Sequence, residues 1–333
     1  MKKIFLLLLV LVTSSFVFSQ EAEEGFDEDS IENVVTTALL KEETVQDASV
    51  AVTVLTGDDI DERGIRDLED AQFQAPGLYF TQGVFTGAAV SIRGVPNIGG
   101  AGASFSGNVS YRMDGSNVTA AWFADGEMFD VQALEVLRGP QGTLFGQNST
   151  GGAINVISKK PSTDSLSSKV QVTAGDYGLM KVSSSTNFPI SDTLATRFSF
   201  SSVERDGFSE NIQLGQELDD ANSISLRSDW IMELSDTSSL RFFAQYFDSD
   251  RNGAAMKGID DYLAPDPREL NQDTMSKQEL SSKVFALTYE SDLGFANLKV
   301  MASVQEDDIM VVRDNERNSL GRQLMLSLTL IHI

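Results

Sequence analysis

From residue 162 onward, apolar and polar positions alternate in several runs. Leu194, Thr196, Phe198 and Phe200 interleave with Ala195, Arg197, Ser199 and Ser201, and Ile224, Leu226, Trp230 and Met232 with Ser223, Ser225, Arg227 and Asp229. Leu298, Val300, Ala302 and Val304 do the same against Asn297, Lys299, Met301 and Ser303, and Lys169 to Tyr177 repeats the device. Successive side chains of a strand point to opposite faces, so each run predicts a strand with one greasy and one wet face. Strands of about ten residues with this alternation suit the wall of a transmembrane β-barrel. A soluble β-sandwich would alternate in the same way. Two longer connections, Ser209 to Asn222 and Asp250 to Ser281, are rich in Asp, Asn, Gly and Pro and predict outward loops. Tyr177, Phe188, Phe208, Tyr246 and Phe247 fall near strand ends, as an aromatic girdle or as core.

Upstream the pattern is different. Val50, Val52 and Val54 alternate as a strand, and Thr56 with Asp59 three residues on forms a capping box that starts a helix. Ile60, Ile65, Leu68 and Ala71 give that helix a broken apolar stripe, Gly64 interrupts it, and helical character ends before Pro76. Ile92 to Val95, Val109 to Met113, Val131 to Leu137 and Ala153 to Ile157 predict further short strands. Between them Gly139, Gly142, Gly146, Gly151 and Gly152 are expected to supply positive φ and close backbone approach, and Pro140 removes a donor. Together these elements predict a compact α+β unit over residues 48–161, of roughly 110 residues. Asp59, Asp61, Gly64 and Asp70 imitate a calcium loop, but Arg63 stands where its fifth position needs an oxygen donor.

The first residues add an address. Met1-Lys2-Lys3, the apolar run Ile4 to Val12 and then Val17-Phe18-Ser19 make a secretory signal peptide with cleavage expected after Ser19. Its apolar core of about ten residues is too short for the ~20 of a membrane-spanning helix. Residues 20–47 form an acidic arm; from residue 21 it carries ten acids and one base, Lys41, and cannot bury enough surface to order itself. Within it Glu32, Asn33, Val34, Val35, Thr36, Thr37 and Ala38 are β-prone, which suits pairing with a partner's sheet edge or a linker with incidental valines. The chain of 333 residues has 49 acids, 25 bases and a net charge of -24, which argues against nucleic acid as a partner. It has no cysteine and a single histidine, His332, so no disulfide, thiolate metal site or histidine triad can be built, and neither an enzyme nor a bound cofactor or metal is expected.

The stretch Glu135 to Pro161, EVLRGPQGTLFGQNSTGGAINVISKKP, together with Ile92-Arg93-Gly94-Val95-Pro96 and VSYRMDG at Val109 to Gly115, resembles the plug domain of TonB-dependent outer-membrane receptors of the siderophore-receptor kind. The resemblance implies an α+β plug inside an antiparallel transmembrane β-barrel of about 22 strands, of which residues 162–333 would make about seven. On that count the expectation is a truncated or frameshifted product. It implies that Glu32 to Ala38 is the TonB box, gripped by TonB of the inner-membrane energy-transducing complex, and that Arg93 and Arg138 are plug arginines facing acids of the barrel wall. Gly94 belongs with the turn glycines. Ligand contacts would come from the plug apices, with Phe80, Thr81, Gln82, Asn97, Phe105 and Asn108 as candidates. The implied activity is energy-coupled uptake of a scarce large nutrient, a ferric siderophore first, with vitamin or glycan uptake open, by a monomer embedded in outer-membrane lipid. The alternative from another class is a secreted or periplasmic binding protein made of the plug unit alone.

Overall fold

The computed structural model describes residues 35–36, 43–44, 50–65, 67–81, 89–96, 107–119, 128–142, 148–255, 266–312 and 319–332. The signal peptide lies outside them. In the arm, β1 (Val35–Thr36) pairs antiparallel with β2 (Glu43–Thr44).

Strand β3 (Ala51–Thr56) runs directly into helix α1 (Gly57–Glu62). The capping box forms as expected: the Asp59 amide donates to Thr56 Oγ1 at 3.1 Å and the Thr56 amide to Asp59 Oδ2 at 3.1 Å. Asp59, the first of the calcium-loop imitators, is thereby committed to the helix start. Gly64, at φ +65, ends this turn, and Asp67 caps the second helix, α2 (Leu68–Ala71). Next come β4 (Leu78–Thr81), β5 (Ala89–Ile92) and β6 (Val95–Pro96), a three-stranded sheet. The expected strand over Ile92 to Val95 is in fact a hairpin. Arg93 and Gly94 sit at φ 53 and 75, the left-handed pair that a two-residue turn between twisted strands requires.

The main plug sheet has the order β3-β9-β10-β7-β8, with β7 (Val109–Met113), β8 (Ser116–Asn117), β9 (Val131–Arg138) and β10 (Gly152–Ser158). Pairing is antiparallel except between β10 and β7. Leu134, Val136 and Ile154 at its centre are solvent-free, which explains why β9 and β10 read as near-continuous apolar runs.

The second half is an eight-stranded antiparallel sheet in chain order: β11 (Ser167–Ala174), β12 (Met180–Ser191), β13 (Leu194–Arg205), β16 (Ala221–Ser235), β17 (Ser238–Arg251), β19 (Lys277–Asp292), β20 (Asn297–Val312) and β21 (Ser319–His332). Between these strands lie β14 (Ser209–Asn211), β15 (Gln216–Leu218) and β18 (Glu269–Leu270), a three-stranded sheet built on the long connections. The second connection, residues 252–276, is shorter than its composition suggests, and the described parts of both carry strand pairing. The wall strands grow to 16 residues, beyond the ~9–11 that span a bilayer.

The alternation holds. On β13, Ser199 and Ser201 turn inward and are buried while Phe198 turns outward. Phe188, Phe198 and Trp230 stack edge-on along the outer face, with centroids 6.2 and 5.9 Å apart. The inner face of the sheet packs on the plug, and Phe243, Leu280, Val284 and Ile309 share one apolar core with plug residues such as Tyr111 and Val136. An outer face this rich in exposed apolar side chains fits a wall in lipid better than a sandwich in water. Of the candidate girdle aromatics, Phe247 points inward and is only 1% exposed, so it belongs to the core.

Candidate functional site

The inner face of the wall meets the plug through three arginines, and both carboxylates they meet on the plug occupy left-handed turn positions. Asp114 and Gly115 form the tight turn between β7 and β8 at φ 50 and 87, and Asp130, at φ 51, precedes β9. Aspartate tolerates that backbone better than most residues, so the turn chemistry and the charge are supplied by one side chain.

Asp114 accepts the Ser158 amide at 3.0 Å and the Ser158 hydroxyl at 2.6 Å, which ties the β7–β8 turn to the end of β10. Arg241 of β17 then reaches in: its Nη2 donates to Asp114 at 3.3 Å and to Ser158 Oγ at 2.9 Å, and its Nε to Asp229 of β16 at 2.9 Å. One guanidinium thus spans a plug acid and a wall acid. Asp130 is held by a second: Arg197 of β13 donates through Nε at 2.7 Å and through Nη2, in the two-pronged geometry that suits guanidinium to carboxylate, and Ser199 adds its hydroxyl. Arg227 of β16 completes the set. Its Nη1 donates to the carbonyl oxygens of Phe129 and Asp130, its Nε to Gln245 at 3.0 Å, and its guanidinium lies 4.6 Å from the centre of the Phe129 ring.

These plug acids lie deep. Burial alone would raise the Asp114 carboxyl, but Arg241, Ser158 and Arg227 outweigh it and hold it below the usual carboxylate range. Asp130 is likewise raised by burial and brought down further by Arg197, Ser199 and Arg227. Both are therefore charged at neutral pH. A third contact lies on β20, where Thr119 donates to Asp307 at 2.6 Å and Ser116 meets Met301 Sδ at 3.6 Å.

The polarity of this interface is the reverse of the arrangement expected from the resemblance. Arg138 stays within the plug, donating to the carbonyls of Pro76 and Val52 at 3.3 and 3.4 Å. Arg93 is exposed in its turn, its amide bonded to Gly77 O at 2.8 Å. Among the described residues neither arginine forms an ion pair with a wall carboxylate. Arg197, Arg227 and Asp229 stood on the polar faces of the alternating runs, but nothing in one sequence tells which of them meets a plug acid.

The turn glycines divide. Gly139 (φ +104) and Gly152 (φ +149) use backbone that side chains avoid, and a Cβ on Gly152 would stand 2.2 Å from Leu137 O. Gly151 is packed within 3.2 Å of Asn108 O and Val95. Gly142 has neither a positive φ nor a neighbour within 4 Å, so its expected role is corrected: it is an exposed, unconstrained position. Gly146 lies outside the described residues.

Of the apex candidates, Phe80 is buried in the plug core at 6% exposure and is not an outward contact, and Thr81 ends β4. Asn108 is exposed and accepts from Thr150 at 3.0 Å. Gln82, Asn97 and Phe105 lie outside the described residues, as do Glu32, Asn33, Val34, Thr37 and Ala38. Beside the Asp130 contact a cavity of about 570 Å³ separates the plug from β11–β13, β16 and the end of β17. Ile65, Phe80 and Phe129 face it from the plug, and Lys181, Ser183 and Arg205 from the wall.

Comparison with known proteins agrees with this geometry. Residues 44–153 match the TonB-dependent Receptor Plug Domain. The chain is 27% identical over 208 residues to the iron-regulated outer membrane virulence protein of Vibrio cholerae, covering 60% of this chain and 31% of that protein. It is 27% identical over 207 residues to the vitamin B12 transporter BtuB of Vibrio vulnificus, again over 60% and 31%. The ferric yersiniabactin uptake receptor FyuA from Yersinia pestis superposes with a TM-score of 0.70 at 20% identity, over 79% of this chain and 41% of that one. The chain therefore spans about a third of the length of these curated relatives. Residues 44–153 thus match the plug-domain family of the TonB-dependent receptors, and the chain shares the fold of a plug with its adjoining wall strands seen in such a receptor.

Proposed function

We propose that this protein is an outer-membrane receptor for energy-coupled uptake of a scarce large nutrient, first a ferric siderophore, with the plug as its gate. The observation that carries the reading is the buried contact of Arg197 and Arg241 with Asp130 and Asp114, which fastens a folded plug to the inside of a wall whose outer face is apolar. A closed plug needs work to open, and TonB is the source, pulling on Glu32 to Ala38. Residues 1–19 direct export, 20–47 form the arm, 48–161 the plug and 162–333 wall, and the receptor acts as a monomer in outer-membrane lipid. Arg93 and Arg138 keep their proposed role as plug–barrel contacts, toward wall strands other than those described. The relatives named for iron and for vitamin B12 keep both substrate classes in the test.

The experiment is uptake in cells lacking other receptors, with radio-iron presented as catecholate, hydroxamate and phenolate chelates and with labelled cobalamin in parallel. The expected result is accumulation of iron, abolished by Val35→Pro, because proline removes a donor from any strand pairing at that position. Accumulation of cobalamin alone reassigns the substrate; accumulation of neither overturns the transport reading.

A further inference from the structure

Across the described wall strands the plug is not held equally. On β17, β19 and β20 the inward side chains Phe243, Phe247, Leu280, Val284, Ile309 and Val311 are buried and merge with the plug core, alongside the polar Arg241 and Asp307 that bond Asp114 and Thr119. On β11, β12 and β13 the inward side chains are mainly polar, among them Lys169, Lys181, Ser183, Ser185, Ser199 and Ser201, with Ala195 and Val203 as buried apolar exceptions, and none of β11–β13 or β16 contributes to that core among the described residues. There the plug is fastened by polar groups, chiefly on one short segment, Phe129–Asp130, gripped by Arg197, Ser199 and Arg227, with one half-exposed ion pair, Lys169 with Asp61, beside it. Above this clasp lies the cavity of about 570 Å³, whose lining runs from Asp61 on α1 to Asp219 and Gly253 in the long connections.

The two kinds of adhesion respond differently to separation. Parting an apolar seam exposes hydrocarbon to water and is opposed over its whole area. Parting a polar clasp beside an open cavity lets water entering from it take over each hydrogen bond as it breaks, which offsets part of the cost. A force on the plug therefore opens the weaker side first.

We infer that the plug parts from the wall along β11–β13 while remaining seated on β17, β19 and β20, so that the cavity beside Phe129 widens into the passage and the Asp130 clasp is its gate. This rests on the transport reading above and adds the route. The surface a ligand meets there is lysine and serine on the wall side, suited to a hydrophilic solute.

The chain has no cysteine, so paired cysteines can be placed without background. One receptor carries Asp130→Cys with Ser199→Cys, across the clasp; another carries Thr119→Cys with Asp307→Cys, across the β20 contact. Each is expressed as the cell makes it and treated with a short bifunctional thiol reagent, and uptake of the radio-iron chelates is measured. Cross-linking the first pair is expected to cut uptake at least tenfold and cross-linking the second to leave it within twofold. Loss with both pairs, with neither, or with the second alone overturns the route. Absence of uptake before cross-linking refutes the transport reading instead, and the route is then decided by leak. Asp130→Asn is expected to admit a large hydrophilic antibiotic such as vancomycin, whereas Asp307→Asn is expected not to; equal or reversed sensitivity overturns it.

Discussion

Arg241 on the wall strand β17 reaches Asp114 in the plug turn at 3.3 Å while its Nε holds Asp229 on the neighbouring strand at 2.9 Å. The plug turn is thereby tied to two wall strands through one guanidinium. Arg241→Ala leaves two buried carboxylates without their hydrogen-bonded cation, and breaking such a pair costs about 3–5 kcal/mol. The expected result is a lowered urea midpoint in detergent with an unchanged slope. Arg241→Lys should recover only part of the loss, since an ammonium cannot make the forked contact.

Stability should depend on pH in the acid range. The Asp114 and Asp130 carboxyls are held below their ordinary value by their arginine and serine partners, against the opposing effect of burial. In the unfolded chain they titrate near about 3.9, so between the two values the unfolded state binds more protons and stability rises with pH. The contribution is complete above about pH 4–5 and disappears as pH falls through the folded values. Urea midpoints at successive pH values should be flat near neutrality and fall below about pH 4. Asp114→Asn with Asp130→Asn should flatten that fall.

Two glycines ten residues apart should respond oppositely to alanine. Gly152 has φ +149 and a Cβ there would lie 2.2 Å from Leu137 O and 2.9 Å from Ile92, so Gly152→Ala should destabilise the plug by about 1–3 kcal/mol or more. Gly142 has open space and no left-handed backbone. Gly142→Ala should be neutral or stabilise by up to about 1 kcal/mol through the unfolded state. Thermal unfolding of the two variants side by side makes the comparison.

The facing of β17 can be read by a pair of truncations. Phe247 is 1% exposed and sits in the core shared with the plug; Phe242 is 42% exposed on the outer face. Phe247→Ala should cost about 3–5 kcal/mol. Phe242→Ala should cost under about 1 kcal/mol, the scale of one cross-strand contact with Trp230. A larger loss from Phe242→Ala than from Phe247→Ala in detergent-solubilised protein would mean that the strand is turned the other way.

Much of the fold could be read in the sequence because it depends on local chemistry. The Thr56–Asp59 box, the β9 and β10 runs and the two-residue period of β13, β16 and β20 each carry their own signal. Alternation does not mark two residues of left-handed backbone, so the Arg93–Gly94 hairpin looks like a strand in the sequence. The small sheet of β14, β15 and β18 was hidden by loop-like composition, its strands being held by long-range pairing such as Glu210 with Glu269. The site was legible only in part. Arg197 and Arg227 could be placed on an inward face by period, but their meeting with Asp130 joins positions 67 and 97 apart in sequence, which no local pattern encodes.

A double-mutant cycle on Asp130→Asn and Arg197→Gln, read by urea unfolding of the receptor in detergent, asks whether plug and wall are fastened through this contact. A coupling of about 1–3 kcal/mol, with vancomycin sensitivity appearing in both single variants, is the expected outcome for a closing clasp. Additive losses within about 0.3 kcal/mol, with the outer membrane still tight, would contradict it and leave the plug held by its apolar seam alone.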